Sequence, residues 1–242
     1  MKQQILTITA NTPLTDQVYE MKLAGRVNAR PGQFVNIRLD GLFLRRPISV
    51  CDADAEGLTL VYKVVGKGTE QMSRMQAGER LDVLTELGNG YDTAKSGQKP
   101  LLVGGGVGVP PLYLLCKTLI SEGKSPTVIL GFNTQSEVFY ERQFKALGVP
   151  VLVTTADGSY GQRGFVTDAM QTQHYTYFYA CGPEPMFRAM EKVAATSGQY
   201  SFEERMGCGF GACMGCSCKT LTGNKRICKE GPVLEREEIL WN

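Results

Sequence analysis

One histidine, His174, occurs in 242 residues. It stands between Gln173 and Tyr175, ahead of a strand-like run, and reads as an ordinary surface residue. No Ser/His/Asp or Cys/His pair is there to invoke for nucleophilic catalysis. Charge of one sign is scarce as well: 26 Lys and Arg against 24 Asp and Glu leave a net charge of +2, and no basic run exceeds two residues. Nucleic acid is therefore not the first partner to expect. Long apolar runs are missing too. The longest, Leu101 to Cys116, is broken by four glycines and two prolines, which does not suit a membrane span of about 20 residues. In the opening MKQQILTITA, Thr7 and Thr9 interrupt any run of signal-peptide length. The expectation is a soluble, cytoplasmic chain whose thiols stay reduced, so a disulfide framework is a poor account of its cysteines.

What remains is ample for a core, since 43% of the residues are hydrophobic, and two domains of about 100–200 residues are plausible. The first hundred residues alternate like short strands: 5–9, 18–23, 34–39, 58–64 and 81–84, with one short helix over 69–75. Turn signals such as Ala29-Arg30-Pro31-Gly32 separate them, the pattern of a small antiparallel barrel. The polar, breaker-rich segment from Thr93 to Pro100 reads as a linker. Beyond it, apolar runs at 101–103, 128–130, 151–154, 177–180 and 200–202 alternate with helix-length segments at 111–122, 136–147, 164–171 and 184–196. Buried strands joined by helices imply an α/β parallel sheet covered on both faces. The expected units are residues 1–97, 98–202 and a small C-terminal module, 203–242.

Half of the eight cysteines crowd into residues 208–218. Cys208, Cys213 and Cys216 are spaced x4 and x2, with Cys228 further on, the plant-type [2Fe-2S] pattern C-x4-C-x2-C…C. Four thiolates serve two irons, and Gly207, Gly209, Gly211, Ala212 and Gly215 are small enough to let a loop wrap the cluster. Structural zinc sites usually pair two C-x2–4-C knuckles, which this spacing fits poorly. Cys218 is left over as a bystander, and Cys51 and Cys116 read as buried small hydrophobes.

Two further stretches end a strand and begin a helix. "LLVGGGVGVPPLYLLC" carries Gly104, Gly105, Gly106 and Gly108, and "ACGPEPM" carries Cys181, Gly182 and Pro183. Glycine turns at helix starts accept phosphate, yet no G-x-G-x-x-G is present and no acid directly ends the second strand, where Gly131-Phe132-Asn133 stands. By itself the glycine loop is weak evidence, since a tight structural turn also explains it, and Cys181 is equally a packed thiol. Together the two turns would flank one crevice at the carboxyl edge of the sheet.

These pieces, in this order, resemble the ferredoxin–NADP reductase superfamily, whose members join an FAD-binding barrel to a nicotinamide-nucleotide domain. "RRPISV" stands where the superfamily carries R-x-Y-[ST]. The resemblance implies that Arg46 neutralises the FAD pyrophosphate and Ser49 reaches the flavin ring, with Pro47 and Ile48 between them. Ile48 departs from the usual aromatic, so a flanking ring stack is in doubt. It further implies a flavin role for Val61, Tyr62 and Lys63 and a phosphate role for Gly68 and Thr69 in "GKGTEQM". "GFNTQSE" offers no arginine for a 2′-phosphate, so NAD is expected over NADP. Within the superfamily, the C-terminal "EERMGCGFGACMGCSCK" and "RICKEGPV" look like the branch of electron-transfer subunits of NAD-dependent dihydroorotate dehydrogenases. That branch implies an FMN-containing catalytic partner subunit, two copies of each chain, and electrons running from FMN through [2Fe-2S] and FAD to NAD⁺ in pyrimidine biosynthesis. The small subunit of NADH-dependent ferredoxin:NADP oxidoreductase shares the domain order but typically has Asp as first ligand, where this chain has Cys208. A sulfhydrogenase-type reductase subunit and an iron–sulfur sensor module are the remaining alternatives.

Overall fold

The structure, a computed structural model, describes residues 1–241. Six antiparallel strands, β1 (Lys2–Pro13), β2 (Val18–Ala24), β3 (Phe34–Ile37), β4 (Arg46–Ala53), β5 (Gly57–Lys63) and β6 (Arg80–Leu87), close into a barrel in the order β1-β2-β5-β4-β3-β6. Alternation along each strand turns Leu6, Ile8, Met21, Leu23, Val35, Ile37, Leu60 and Val83 inward. One helix, α1 (Lys67–Ser73), follows β5. β4 is not among the strands that alternation predicts. Arg45 just before it, and Arg46 and Pro47 at its start, disguise the strand, but Pro47 is accommodated opposite Asn36.

The second unit runs β7 (Pro100–Gly105), α2 (Pro111–Ser121), β8 (Thr127–Phe132), α3 (Glu141–Ala146), β9 (Val151–Thr155), β10 (Gln162–Arg163), α4 (Val166–Met170), β11 (Tyr177–Cys181), α5 (Glu184–Glu191) and β12 (Gly198–Ser201). The sheet order is β10-β9-β8-β7-β11-β12, all parallel. Leu102, Val128 and Leu130 pack on one face with α2 and α3, while Leu101, Val103 and Ile129 pack on the other with α4 and α5. Three helices are shorter than the apolar pattern predicts. Tyr140 takes φ +66° and delays α3, Gly164 at φ +120° delays α4, and α5 stops at Glu191. The expected linker is partly structured, with Asp92 accepting from the Ala94 amide at 3.1 Å to cap a short 3-10 turn.

The third unit adds a hairpin, β13 (Ser217–Thr220) and β14 (Gly223–Arg226), and then β15 (Val233–Glu235). β15 pairs antiparallel with β12, so the last segment extends the nucleotide sheet by one strand. Asn89, just past β6, clamps this return: its side chain donates to the carbonyls of Glu230 (3.0 Å) and Val233 (2.7 Å) and accepts from the Val233 amide (3.1 Å). No helix among the described residues is long and apolar enough to cross a membrane.

The barrel and the sheet share an interface. Leu114 of α2 packs in the barrel core, and Val18, Cys51 and Val61 of the barrel pack with the sheet. Lys117 of α2 meets Asp52 at 2.8 Å, and the Tyr140 hydroxyl donates to Glu20 at 2.7 Å. Tyr140 is buried, and the Glu20 side chain is only 16% exposed. Removing a donor to a shielded carboxylate costs more than an ordinary hydrogen bond. Tyr140→Phe is expected to lower stability by about 1–3 kcal/mol, read as a lower urea midpoint; an unchanged midpoint would show that Tyr140 does not brace the two units.

Candidate functional site

The two arginines of the barrel motif divide their work. Arg45 donates to the Asp82 carboxylate and to the Asp82 carbonyl, both at 2.9 Å, and so ties β4 to β6. Arg46 is half-buried and meets only the carbonyls of Leu44 and Arg45. Among the described residues, no carboxylate pairs with it. A guanidinium shielded from water without a counter-ion suits an anionic ligand. It lies against the first turn of α1, where a Cβ on Gly68 would fall 2.1 Å from its Nε. The expected phosphate contact through the Thr69 hydroxyl meets a competitor. That hydroxyl donates to the Gly66 carbonyl and accepts from the Val65 amide at 2.9 Å, so only the backbone there is left for a phosphate. Pro47, Ile48 and Ser49 are half-buried along β4. Ser49 pairs with Phe34, and Ile48 leans on the barrel core. Of Val61, Tyr62 and Lys63, the first two are core. Tyr62 donates to Asn11 at 3.0 Å, and only Lys63 reaches a cleft.

That cleft, about 240 Å³, runs between Lys63 and Gln17 of the barrel and Gly106, Val107 and Glu137 of the sheet. It opens at the carboxyl edge of β7. The two glycine-bearing turns meet there, as expected for the reversal point of a parallel sheet. A Cβ on Gly108 would strike the Cys181 carbonyl at 2.1 Å, and one on Gly105 would strike Met186 Sδ at 2.7 Å. Gly104 is crowded by Val109. Packing therefore demands three of the four glycines, and Gly106, at φ +52° with open space around it, is the one left to approach a ligand. Cys181 is half-buried, and burial pushes its thiol up to about 12 against the opposing hydrogen bond to Ser201, so it stays neutral. Gly182 and Pro183 complete the second turn, Pro183 exposed. The acid missing at the end of the second strand is supplied from four residues on. Glu137 folds back and accepts from the Asn133 side chain (2.9 Å) and amide (3.1 Å), at the end of β8. A larger hollow of about 590 Å³ lies on the barrel flank among Arg38, Arg74 and Arg80, and none of these predicted residues lines it.

In the third unit the thiols sort into two pairs. Cys208 and Cys213 interact with each other, as do Cys216 and Cys228. Two irons with two thiolates each call for two such pairs. The spacing to Cys228 is bridged by the hairpin. Ser217 pairs with Arg226, and the Ile227 amide donates to the Cys216 carbonyl at 3.1 Å, so β13 and β14 return the chain to Cys216. Backbone amides point at sulfur: Ala212 N and Cys213 N lie 3.2 and 3.5 Å from Cys208 Sγ, and Cys228 N lies 3.4 Å from Cys216 Sγ. Burial opposes ionisation of Cys208, yet the amides of Phe210, Cys213 and Ala212 outweigh it and bring the thiol down to about 6. The free Cys228 thiol is held up to about 12 by burial and by Cys216. The donor set fits a cluster with thiolate ligands. Cys218 sits on β13 opposite Lys225 and packs against the apolar cluster that holds Cys216 and Cys228. Cys51 and Cys116 are fully buried, and burial pushes Cys116 up to about 12.

The module sits directly on the flavin-motif strands. Phe34 of β3 packs with Cys216 and Cys228, and the Asn36 side chain donates to the Cys208 carbonyl at 3.3 Å. β4 is the neighbour of β3, so the thiols and the segment Arg46–Ser49 share one wall of the barrel.

Two family models match this chain: the iron–sulfur cluster binding domain of dihydroorotate dehydrogenase B over residues 203–240, and the oxidoreductase NAD-binding domain over residues 102–192. The electron transfer subunit of dihydroorotate dehydrogenase B (NAD(+)) from a Geobacillus species is 43% identical over 257 aligned residues, covering 99% of each chain. The chain belongs to the family of dihydroorotate dehydrogenase B electron transfer subunits. The subunit of that name from Fusobacterium nucleatum is also 43% identical, again over 99% of both chains. Among solved structures, the NADH-dependent reduced ferredoxin-NADP oxidoreductase superposes with a TM-score of 0.89 at 32% identity, covering 98% of this chain and 90% of that one. The one histidine, His174, is exposed ahead of β11. Asn36, Glu137 and Arg226 lie beside these groups although no role is read for them from the sequence, Glu137 falling in "GFNTQSE" and Arg226 in "RICKEGPV". Arg226 donates to the Gly211 carbonyl and pairs with Glu230, tying the thiol loop to the hairpin. Only Asn36, a polar residue inside the apolar run "FVNI", leaves a visible mark in the sequence.

Two outcomes are expected. Losing a charge-assisted contact to a pyrophosphate costs about 1.5–3 kcal/mol, so FAD titrated into flavin-stripped Arg46→Ala should bind roughly ten- to hundredfold more weakly. Unchanged affinity would remove Arg46 from the site. Serine replacements of Cys208, Cys213, Cys216 and Cys228 should abolish or alter the visible and EPR spectra of the cluster, and Cys218→Ser should leave them intact. A cluster lost in Cys218→Ser and kept in Cys228→Ser would reverse that assignment.

Proposed function

We propose that this chain is the electron transfer half of a two-part dihydroorotate dehydrogenase, linking an FMN-bearing catalytic subunit to NAD⁺ in pyrimidine biosynthesis. The observation that carries this reading is the seat of the thiol loop on β3, through Cys216, Cys228 and the Cys208 carbonyl, one strand from the half-buried, unpaired Arg46. FAD, when bound, exchanges electron pairs with a nicotinamide and single electrons with a [2Fe-2S] cluster, chemistry that no side chain here supplies. The chain's own residues bind and orient. Arg46 and the backbone at Gly68 and Thr69 take the FAD pyrophosphate, and Ser49 offers its hydroxyl to the flavin ring. Gly106 and the Cys181–Pro183 turn border the nicotinamide crevice, with Lys63 across the cleft. The Glu137 carboxylate suits ribose hydroxyls and repels a 2′-phosphate, which favours NAD over NADP. Cys208 and Cys213 hold one iron, Cys216 and Cys228 the other.

Three functional units result, residues 1–97 for FAD, 98–202 for NAD and 203–242 for the cluster. The partner is read as an FMN-containing dihydroorotate dehydrogenase catalytic subunit, two copies of each chain, working in the cytoplasm, where eight free cysteines stay reduced. The likeness to the ferredoxin-NADP oxidoreductase concerns a shared fold at lower identity, 32% against 43%.

The test is anaerobic purification with iron, sulfide and flavin quantified, and then assays with and without the partner. The isolated chain should oxidise NADH with an artificial acceptor, prefer it to NADPH, and leave dihydroorotate untouched. Adding the catalytic subunit should produce dihydroorotate-dependent NAD⁺ reduction. Dihydroorotate oxidation by this chain alone would sink the reading, as would failure to associate with that subunit.

A further inference from the structure

We propose that Asn36 is a positioning residue for electron transfer: it fixes the thiol loop against the flavin strands and thereby sets the rate at which the cluster exchanges electrons with the flavin. The inference rests on the function proposed above.

Alternation along β3 sends Val35 and Ile37 into the barrel core and leaves Phe34 and Asn36 on the outer face. Asn36 is 1% exposed there. Its Nδ2 donates to the carbonyl of Cys208, a residue of the outer thiol pair, at 3.3 Å. The neighbouring Gly209 makes this approach possible. A Cβ on Gly209 would fall 2.3 Å from the same Nδ2, and its φ of +76° disfavours any other residue. The backbone of Asn36 is fixed from the flavin side, since its carbonyl accepts from Arg45 at 3.3 Å and its ladder partner is Pro47, beside Arg46. One side chain thus touches the cluster loop while its main chain belongs to the flavin wall.

The other end of the amide argues against a purely structural role. Asn36 Oδ1 is buried and has no hydrogen-bond partner. Such an orphan pays a desolvation cost that one 3.3 Å hydrogen bond does not recover. An apolar side chain at this position would pack as well and avoid that cost. What it would not do is hold the Cys208 carbonyl in register. Electron transfer falls off exponentially with the separation of the two redox centres, so a loop that drifts from the flavin wall slows it.

The experiment uses the full-length chain loaded with FAD and cluster and mixed anaerobically with NADH. Flavin bleaching and cluster reduction are monitored separately by stopped-flow absorbance, with EPR of the reduced cluster and iron and sulfide content for each sample. In Asn36→Leu, flavin reduction by NADH should proceed at the wild-type rate while cluster reduction slows severalfold, with an altered EPR signal at unchanged iron content. Gly209→Ala, which pushes a methyl group into the same amide, should slow the same step. If Asn36→Leu does not fold, Gly209→Ala alone decides. Cluster reduction at the wild-type rate in the folded variants overturns the inference. So does cluster loss in which the retained fraction is reduced at the wild-type rate, because that marks a structural role only. A wild-type chain whose cluster NADH does not reduce overturns the proposed function, and the inference with it.

Discussion

Four residues of β3 serve two cores at once, and the rest of the molecule is arranged around that double duty. Val35 and Ile37 close the barrel from inside, while Phe34 and Asn36 receive the thiol module from outside. A slip of one residue would exchange the two sets, placing an amide in the barrel core and two aliphatic chains against the cluster loop. The neighbouring strand absorbs the mismatch. Between Phe34 and Asn36 the pairing with β6 is irregular, Phe34 opposite Leu87 and Asn36 opposite Leu84. The extra residue falls at Thr85 and Glu86, and Glu86 takes φ +58°, the signature of a bulge that re-aims the strand beyond it. Leu87 then joins Phe34, Cys216 and Cys228 in the outer cluster. Asn89, two residues on, captures the returning C-terminal segment.

Charge obeys the same economy. Arg45 is consumed by Asp82 and so makes the wall rigid, which leaves Arg46 as the cation without a counter-ion. Lys117 is consumed by Asp52, and the Glu20 carboxylate is engaged by Tyr140 at the same interface. Positive charge that survives near the flavin wall is therefore not a general basic surface, in keeping with a net charge of +2. One guanidinium without a carboxylate partner stands beside one helix start, whose first residue is Lys67.

The architecture was legible wherever periodicity was unbroken. The barrel strands around Leu6, Leu23 and Leu60, and the parallel strands around Leu102, Ile129 and Phe178, fall where alternation and apolar runs put them. β4 was hidden because Arg45, Arg46 and Pro47 look like a break, and only pairing with β3 makes them a strand. The early end of α5 and the late start of α3 depend on tertiary packing and on the left-handed Tyr140, neither of which leaves a local mark. Motifs located the neighbourhoods well and the duties of individual residues less well. The glycines of "VGGGVG" look alike in a sequence, yet three answer to close packing and one to open space. Thr69 looks like a phosphate donor until its hydroxyl is seen to serve its own helix start. Glu137 escaped notice because the acid comes back to β8 from beyond a turn.

The thiol pairs differ in a way that gives the module a direction. Cys216 and Cys228 are each 2% exposed and rest on Phe34, so their half of the site faces the barrel. Cys213 is exposed and Cys208 half-exposed, and the residues around them, Phe210 and Met214, present apolar side chains to solvent at 43% and 54% exposure. Met214 holds a left-handed φ of +61°, a strained conformation for a side-chain-bearing residue that the loop around the cluster imposes. Exposed apolar groups rimming a redox centre are a liability in a chain that works alone and an asset where a second protein covers them. The inner pair lies toward the flavin wall and the outer pair toward whatever lies beyond the chain. A subunit that must take electrons from one protein and pass them inward needs that polarity. Here it arises from burial and from unequal backbone amide contacts, because the side chains themselves are four identical thiols.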